Sequence, residues 1–528
     1  MGKQTINLTD DNRLLHQVLS SESGEIERKL FKVLDSGFLY NKEGDPSTLQ
    51  LAILSHDRSR PLQQFIDVDS YVVNKVDRSG RCLLHWAVEL EAIGCVRLLL
   101  AHGASATQAD HLGIMPLHLA AAKPQAKILK LCLDEFRDFD HSRSRLNDCN
   151  ERSPFHYAAA AGSLQCCEAL LAATNLEIPW DQRDRLGQTP LMYAVATPSA
   201  VDVVRLFALR KTYLLSRRDN NGMTPLHLAV LANNQSAIRV LITEAKCNAA
   251  NCWDGQNRNP LHYAALHGRV EAIKTLMELG TDVNARDQNQ ATPAHYAAQQ
   301  SKEALKELLT NSKEDVVDGD NRTSFMWAVA AQNEDVVRAF LENEMPVTVQ
   351  THAYDNNRQT ALHIAAAQGN CTICKMLMGR GFTLTAKDFQ TATAVHLAAG
   401  NGHSELLRQF FQQDSNVDDP DGDGKTPLFY ACLGGKSHTV GVMIQEFKVN
   451  AKHKDTLNQT ALHCAAFVGS ATCWSKLVNA GCNMNDVDVN GRSPASLARE
   501  YHPTVSFEGL SDDENSVTTN ESSQVEFM

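Results

Sequence analysis

The chain has 528 residues, 43% of them hydrophobic but only 6% aromatic, and a net charge of −12. So few aromatic residues suit a thin core of Ala, Leu and Val, and a mild excess of acid excludes nucleic acid and anionic membranes as the partners its charge would select. No run of about 18 apolar residues occurs, so neither a membrane span nor direct membrane insertion is expected.

In chain order, a weak tetrapeptide at Arg13-Leu14-Leu15-His16 is followed by related slots beginning at Ser47, Cys82, Met115, Ser153, Thr189, Thr224, Asn259, Thr292, Thr323, Thr360, Thr393, Thr426, Thr460 and Ser493. The slot is clearest at Thr224-Pro225-Leu226-His227, and its steps of 31 to 38 residues leave no gap for another domain. Within one unit, Asn259 suits an N-cap and Pro260 the first helical position, where a missing N–H costs nothing. A first helix of about two turns is expected from Pro260 through Ala264 and Ala265, reversed at Gly268. A second helix follows, with Ile273, Leu276 and Met277 on one apolar stripe, and ends at Gly280. Asp282-Val283-Asn284-Ala285 then leads into a turn at Asp287. Alone, such a helix pair leaves an apolar face bare; stacking on its neighbours covers it.

A period near 34 residues carrying this tetrapeptide resembles the ankyrin repeat. The resemblance implies an all-α ankyrin-repeat solenoid of about 14–15 helix-turn-helix repeats with β-turn fingers. The expected organisation is a degenerate N-terminal capping repeat over 1–46, the array over 47–504 and an acidic tail over 505–528. That tail holds six acids and no base, leaving 56 acids against 50 bases elsewhere, and is read as disordered.

The repeat absorbs several look-alike motifs. Asp419-Pro420-Asp421-Gly422-Asp423-Gly424 copies the start of a calcium loop, but its twelfth position is Tyr430 rather than a bidentate Glu. Gly424-Lys425-Thr426 copies the end of a phosphate loop whose required first Gly would be Asp419. Cys371-Thr372-Ile373-Cys374 has redox or zinc spacing with no second pair to complete four ligands. Nine units carry His in the fourth slot, at His85, His118, His156, His227, His262, His295, His363, His396 and His463. Spaced about 10 Å apart by the stack, they are too distant to share a metal and are read as structural hydrogen-bonding groups. The fourteen cysteines, Cys82, Cys432 and Cys464 among them, are read as reduced, buried thiols of a cytosolic protein, with no signal peptide ahead of them. No nucleophile, base and orienting group recurs together, so no enzyme activity, cofactor or metal is expected.

Arg322-Thr323-Ser324-Phe325-Met326-Trp327-Ala328 departs from the ankyrin pattern as the inversin group of ankyrin proteins does. The two preceding slots, Arg258-Asn259-Pro260-Leu261-His262-Tyr263 and Ala291-Thr292-Pro293-Ala294-His295-Tyr296, are similar in the same order. The resemblance covers the array, nearly the whole chain. It implies a scaffold that assembles a NIMA-related kinase with other ankyrin and sterile-alpha-motif proteins, in the cytoplasm, at the proximal segment of the cilium or the cell cortex. The long basic region with IQ motifs is absent and Ile444-Gln445 lacks the basic residues that would follow, so calmodulin binding is not expected.

Ankyrin arrays bind through finger tips and the concave faces of first helices. The polar fingers suited to directional recognition are those with Asn220 and Asn221, Gln256 and Asn257, and Asn356 and Asn357. Two modification sites are read: Ser511, followed by Asp512, Asp513 and Glu514 as acid-directed kinases prefer, and Asn284, which resembles the asparagine that ankyrin hydroxylases modify. The competing class is an ankyrin-type inhibitor or regulatory subunit of a transcription factor or phosphatase.

Overall fold

The computed structural model describes residue 57 and residues 59–68, 70–134, 146–173, 179–249, 252–312, 314–412, 418–507 and 509. The expected N-terminal cap, the slot at Ser47 and Ser511 in the acidic tail lie outside them. The chain divides into two compact units, Met1–Gln288 and Asn289–Met528.

In the first unit, Ser59–Val68 is followed by helix pairs Leu83–Glu89 and Ile93–Ala101, Pro116–Ala121 and Lys127–Asp134, Pro154–Ala160 and Leu164–Ala172, and Pro190–Ala196 and Val201–Arg210. Pro225–Leu231 pairs with Gln235–Arg239, which a π turn continues over Val240–Glu244, and Pro260–Leu266 pairs with Val270–Glu278. The second unit has Pro293–Gln300 and Lys302–Ser312, Ser324–Ala330 and Glu334–Leu341, Ala361–Gln368 and Cys371–Met378, and Ala394–Asn401 and Ser404–Phe411. It continues through Pro427–Leu433 and Ser437–Gln445, Ala461–Val468 and Ala471–Asn479, to Pro494–Tyr501. Within each unit, first helices pack on first helices and second helices on second helices.

The tetrapeptide explains each first helix. Asn259 caps Pro260–Leu266 as expected, its side chain accepting from His262 N at 3.1 Å, and Pro260 stands at the first position. Gly268 and Gly280 both take positive φ, 60° and 82°, where a side chain would strain the backbone. The Leu of the tetrapeptide, at Leu226 and Leu261 in one unit and Leu362 and Leu462 in the other, is fully buried. Each contributes roughly 1.5–3 kcal/mol of apolar burial. On the second helix Ile273 and Leu276 are buried as the stripe requires, but Met277 is only half-buried and Thr275 is buried beside Leu276. Thr275 Oγ1 donates to Gln235 Oε1 of the preceding repeat at 3.2 Å, so a hydrogen bond joins the two repeats at a position outside the expected apolar stripe.

Capping also crosses from repeat to repeat. Ala92, before Ile93–Ala101, has no side chain to cap with, and Asp57 of the preceding repeat accepts from Gly94 N and Cys95 N at 3.0 and 2.9 Å. Farther on, His403 Nε2 bonds Ala367 O at 2.9 Å and His502 Nε2 bonds Phe467 O at 2.8 Å. Such bonds satisfy helix-end groups that an isolated repeat would leave unpaired.

Candidate protein-interaction surface

Among the described residues every finger begins with an aspartate, and the backbone folds around its carboxylate. Asp254 Oδ1 accepts from Gln256 N and Arg258 N, both at 2.8 Å, while Oδ2 accepts from the Tyr263 hydroxyl and Arg258 Nε, also at 2.8 Å. Burial raises the pKa of this group, but the bonds from Arg258, Tyr263 and Gln256 outweigh it and hold the carboxyl below its ordinary value. The same Oδ2 contact, nine residues on, comes from Trp86 to Asp77, Tyr157 to Asp148 and Tyr193 to Asp184, and in the second unit from Trp327 to Asp318 and Tyr430 to Asp421. Where Leu228 or Cys464 stands at that distance, Asp219 Oδ2 and Asp455 Oδ2 are buried without a partner. At Asp455 burial prevails over the bonds from Gln459 N and Leu457 N, and the pKa is raised.

The histidines tie each finger to its neighbour. His227 Nδ1 accepts from Thr224 N at 3.1 Å, so Nε2 carries the proton and donates to Arg258 O at 3.0 Å, at the threshold of the next first helix. The pattern recurs from His85 to Ile114, His118 to Arg152 and His156 to Gln188, and in the second unit from His295 to Arg322, His363 to Ala392, His396 to Lys425 and His463 to Arg492. Burial pushes His118 and His227 down to about 4 and lowers His85, His156, His363, His396 and His463 as well, which keeps those seven rings neutral. These histidines act as structural hydrogen-bonding groups, as their spacing implies. Among the described residues no three His, Cys, Asp or Glu side chains gather as metal ligands would, and no helix is long and apolar enough to cross a membrane.

A backbone ladder joins successive fingers. Arg185 N donates to Asn150 O and Asn220 N to Leu186 O; in the second unit Asn356 N donates to Asp320 O, Phe389 N to Asn357 O, Thr456 N to Asp423 O and Val489 N to Leu457 O. Two of the six predicted finger residues spend their side chains on this ladder. Asn220 Nδ2 donates to Arg185 O at 2.8 Å and Asn356 Nδ2 to Gly319 O at 3.0 Å. Asn221, Gln256, Asn257 and Asn357 are exposed, with no side-chain bond to another described residue. Asn257 takes a left-handed φ of 58°, which turns the finger. Asn284 is half-buried, its N–H donating to Asp282 Oδ1 at 3.0 Å.

The finger tips also carry apolar side chains that polarity alone passed over. Leu112 and Leu186 are exposed in the first unit, and Phe389, Leu457 and Val489 in the second, where Phe389 is 76% exposed. Apolar residues one or two places after the finger aspartate, where solvated turns favour polar ones, were the signal for them.

The repeat that departs most from the pattern has its own geometry. Ser324 replaces the first-position Pro, so its backbone keeps a proton, and Asp315 Oδ1 accepts it at 3.2 Å. Phe325 packs edge-on to Phe340 at 5.2 Å and stacks on Phe382 at 6.2 Å. Phe325, Phe340 and Phe382, with Asp315 and connector residues that include Pro346, Val349 and Tyr354, line a cavity of 710 Å³. Burial there raises the pKa of Asp315, against bonds from Ser324 that lower it.

Helix pairs repeated with finger turns, buried capping histidines and an exposed finger surface define a stacked-repeat binding protein. The family described as "Ankyrin repeats (3 copies)" matches residues 84–180, 117–214, 210–287, 279–351, 294–388 and 395–488. The chain belongs to the ankyrin-repeat family. A putative palmitoyltransferase ZDHHC13 of Danio rerio is 27% identical over 196 residues, 37% of this chain and 30% of that protein. Inversin of Mus musculus is 31% identical over 148 residues, and that of Homo sapiens 32% over the same length, 28% of this chain and 13% of inversin. This match is narrower than the nearly full-length resemblance expected of the array. The chain thus spans less than a third of the length of these relatives. The crystal structure of the Bcl-3 ankyrin domain aligns over 40% of this chain and 94% of its own, with 22% identity and a TM-score of 0.33.

Proposed function

We propose that this chain is a non-enzymatic scaffold that binds its protein partners on the finger tips of the second unit, around Phe389, Leu457 and Val489. The observation that carries the reading is apolar side chains held in water by a ladder of backbone bonds. Exposed aromatic and aliphatic groups on a rigid frame bind with little ordering cost, and buried aromatic anchors dominate binding energy. Exposed amides at Asn357 and, in the first unit, Asn221, Gln256 and Asn257 add directional polar contacts.

The similarity to inversin supports a finer reading, in which the scaffold assembles a NIMA-related kinase with other ankyrin and sterile-alpha-motif proteins at the proximal cilium or cell cortex. Affinity purification of the tagged chain from ciliated epithelium tests both levels. Recovery of such a kinase with a second ankyrin protein, and its loss in a Phe389→Ser/Leu457→Ser variant that remains folded, is the expected result. Recovery of a transcription factor or phosphatase instead would favour the inhibitor class. Partner capture unchanged by the double variant would move binding off these tips. Intact-mass and peptide analysis of the same material tests phosphate on Ser511 and hydroxylation of Asn284.

A further inference from the structure

The connector between the repeats of Thr224 and Asn259 brings two thiols together at a cavity. Cys247 Sγ and Cys252 Sγ are 3.7 Å apart, and both side chains are buried. They line a cavity of 480 Å³ with Leu209, Leu215, Arg218 and Thr224, so small solutes have room beside the sulfurs. The other cysteines named above, Cys82, Cys432 and Cys464, sit on first helices or their caps in the repeat core. The backbone leading into the pair is irregular: a π turn runs over Val240–Glu244, Ala245 N bonds Val240 O at 3.0 Å, and Lys246 takes a φ of 55°.

We propose that Cys247 and Cys252 are a peroxide-reactive dithiol whose oxidation joins them in an intrachain disulfide. The two sulfurs have different roles. The hydrogen bond from Cys247 lowers the pKa of Cys252, with further help from Thr224 and the Arg218 guanidinium against burial. The same shared bond and burial push Cys247 up, so it holds the proton. Cys252 lines the cavity with Thr224 and Arg218 and donates to Asn248 O at 3.5 Å; once it releases that proton it is the attacking sulfur, and Cys247 is the resolving thiol.

In the first step Cys252 sulfur attacks one oxygen of hydrogen peroxide. The S–O bond forms, the O–O bond breaks, and the leaving hydroxide takes a proton to become water. Cys247 then gives up its proton and attacks the Cys252 sulfenic sulfur; the S–S bond forms, the S–O bond breaks, and hydroxide leaves with that proton as a second water. Two thiols lose two electrons to one peroxide. The sulfurs must close from 3.7 Å to about 2.05 Å. Cys252 lies two residues before Asp254, so the disulfide tethers the connector entering the finger that presents Gln256 and Asn257.

Trypsin cuts after Lys246 and Arg258, releasing both cysteines in one peptide, Cys247–Arg258. The purified full-length chain is treated with hydrogen peroxide, quenched with an alkylating reagent, digested and weighed. The expected result is a Cys247–Arg258 peptide lighter by two hydrogens and lacking both alkyl groups, restored to the dialkylated form by dithiothreitol. Cys247→Ser should leave Cys252 as a sulfenic acid that dimedone traps, whereas Cys252→Ser should leave Cys247 alkylated. Thermal melts report whether each variant is folded; should either fail, trapping a time course of the unmodified chain with dimedone still identifies the sulfur oxidised first. Both thiols remaining alkylated at peroxide doses that oxidise the exposed Cys149, or a disulfide to any third cysteine in place of this pair, overturns the proposal.

Discussion

The repeats that begin at Thr224 and Asn259 are adjacent and nearly identical in their first helices, yet they differ in how completely their polar groups are satisfied. Each first helix has seven residues opened by Pro, and each buries its Leu fully. Asp254 in the finger of the second receives four hydrogen bonds, whereas Asp219 in the finger of the first has an Oδ2 with none. The second helix of the Asn259 repeat is regular over Val270–Glu278 and ends before Gly280 at positive φ. That of the Thr224 repeat breaks into a π turn and puts Lys246 at positive φ, where a side chain is costly. The step after Thr224 is 35 residues and that after Asn259 is 33, and a π turn is a way for a helix to absorb an insertion. Strength of consensus in the first helix thus says little about order in the finger and the connector.

The largest effects should fall where the two repeats are alike. Leu226→Ala and Leu261→Ala should each cost ~2–5 kcal/mol, since both leave a cavity in a fully buried site. Denaturant unfolding should give the two similar losses, and hydrogen exchange should rise in the flanking repeats as well; exchange confined to the mutated repeat would break the nearest-neighbour account. Acid comes next. Burial takes the pKa of His227 from 6.5 down to about 4, so its contribution is fully present above pH 6.5 and is lost as pH falls through about 4. At 1.36 kcal/mol per pKa unit this single ring accounts for about 3 kcal/mol at most. His227→Gln should flatten that part of the stability profile between pH 6.5 and 4. An unchanged profile would show that the ring is already charged in the folded chain.

A smaller effect separates the repeats. Tyr263→Phe removes one of the four donors of Asp254 and should cost about 1.5 kcal/mol, the usual worth of a hydrogen bond to a charged group. The residual bonds from Arg258 keep the carboxylate charged, so the loss should be the same at pH 6 and pH 8. Equal stability of Tyr263→Phe and the unmodified chain would put the finger's order in its backbone bonds alone.

Much of this was legible in the residues. Pro260, Asn259 and Gly268 announced the first helix, because capping and positive φ are local requirements that few residue types meet. His spacing excluded a shared metal, and the bond from His227 to Arg258 supplied the reason those rings recur. What remained hidden depends on contacts between repeats. Asn220 and Asn356 read as available finger amides until the carbonyls of Arg185 and Gly319 are placed beside them. The cysteines read as reduced, buried thiols, and no sequence period marks that Cys247 and Cys252 meet at one cavity beyond the π turn. Ser324 was legible as a departure, but its use, a proton offered to Asp315, required the connector's path.

The least change that should convert one repeat toward the other is Leu228→Tyr. In four repeats a Tyr nine residues after the finger aspartate donates to Oδ2 at 2.8 Å, and Asp219 lacks that donor. Leu228 is half-buried, as Tyr157 and Tyr193 are at the equivalent place, so a ring there can keep one face in water. Where other repeats set this ring against a histidine, as Tyr263 meets His227 at 5.2 Å, the preceding repeat here has Met192, whose thioether also packs well on aromatic faces. Supplying the buried carboxylate oxygen with a hydroxyl should stabilise the chain by about 1 kcal/mol. Leu228→Phe adds the ring without the hydroxyl and isolates the cause. A gain in the denaturation midpoint for Tyr but not Phe assigns the difference between the two repeats to the unpaired oxygen of Asp219. Equal gains assign it to ring packing, and the orphaned carboxylate would then be satisfied by solvent.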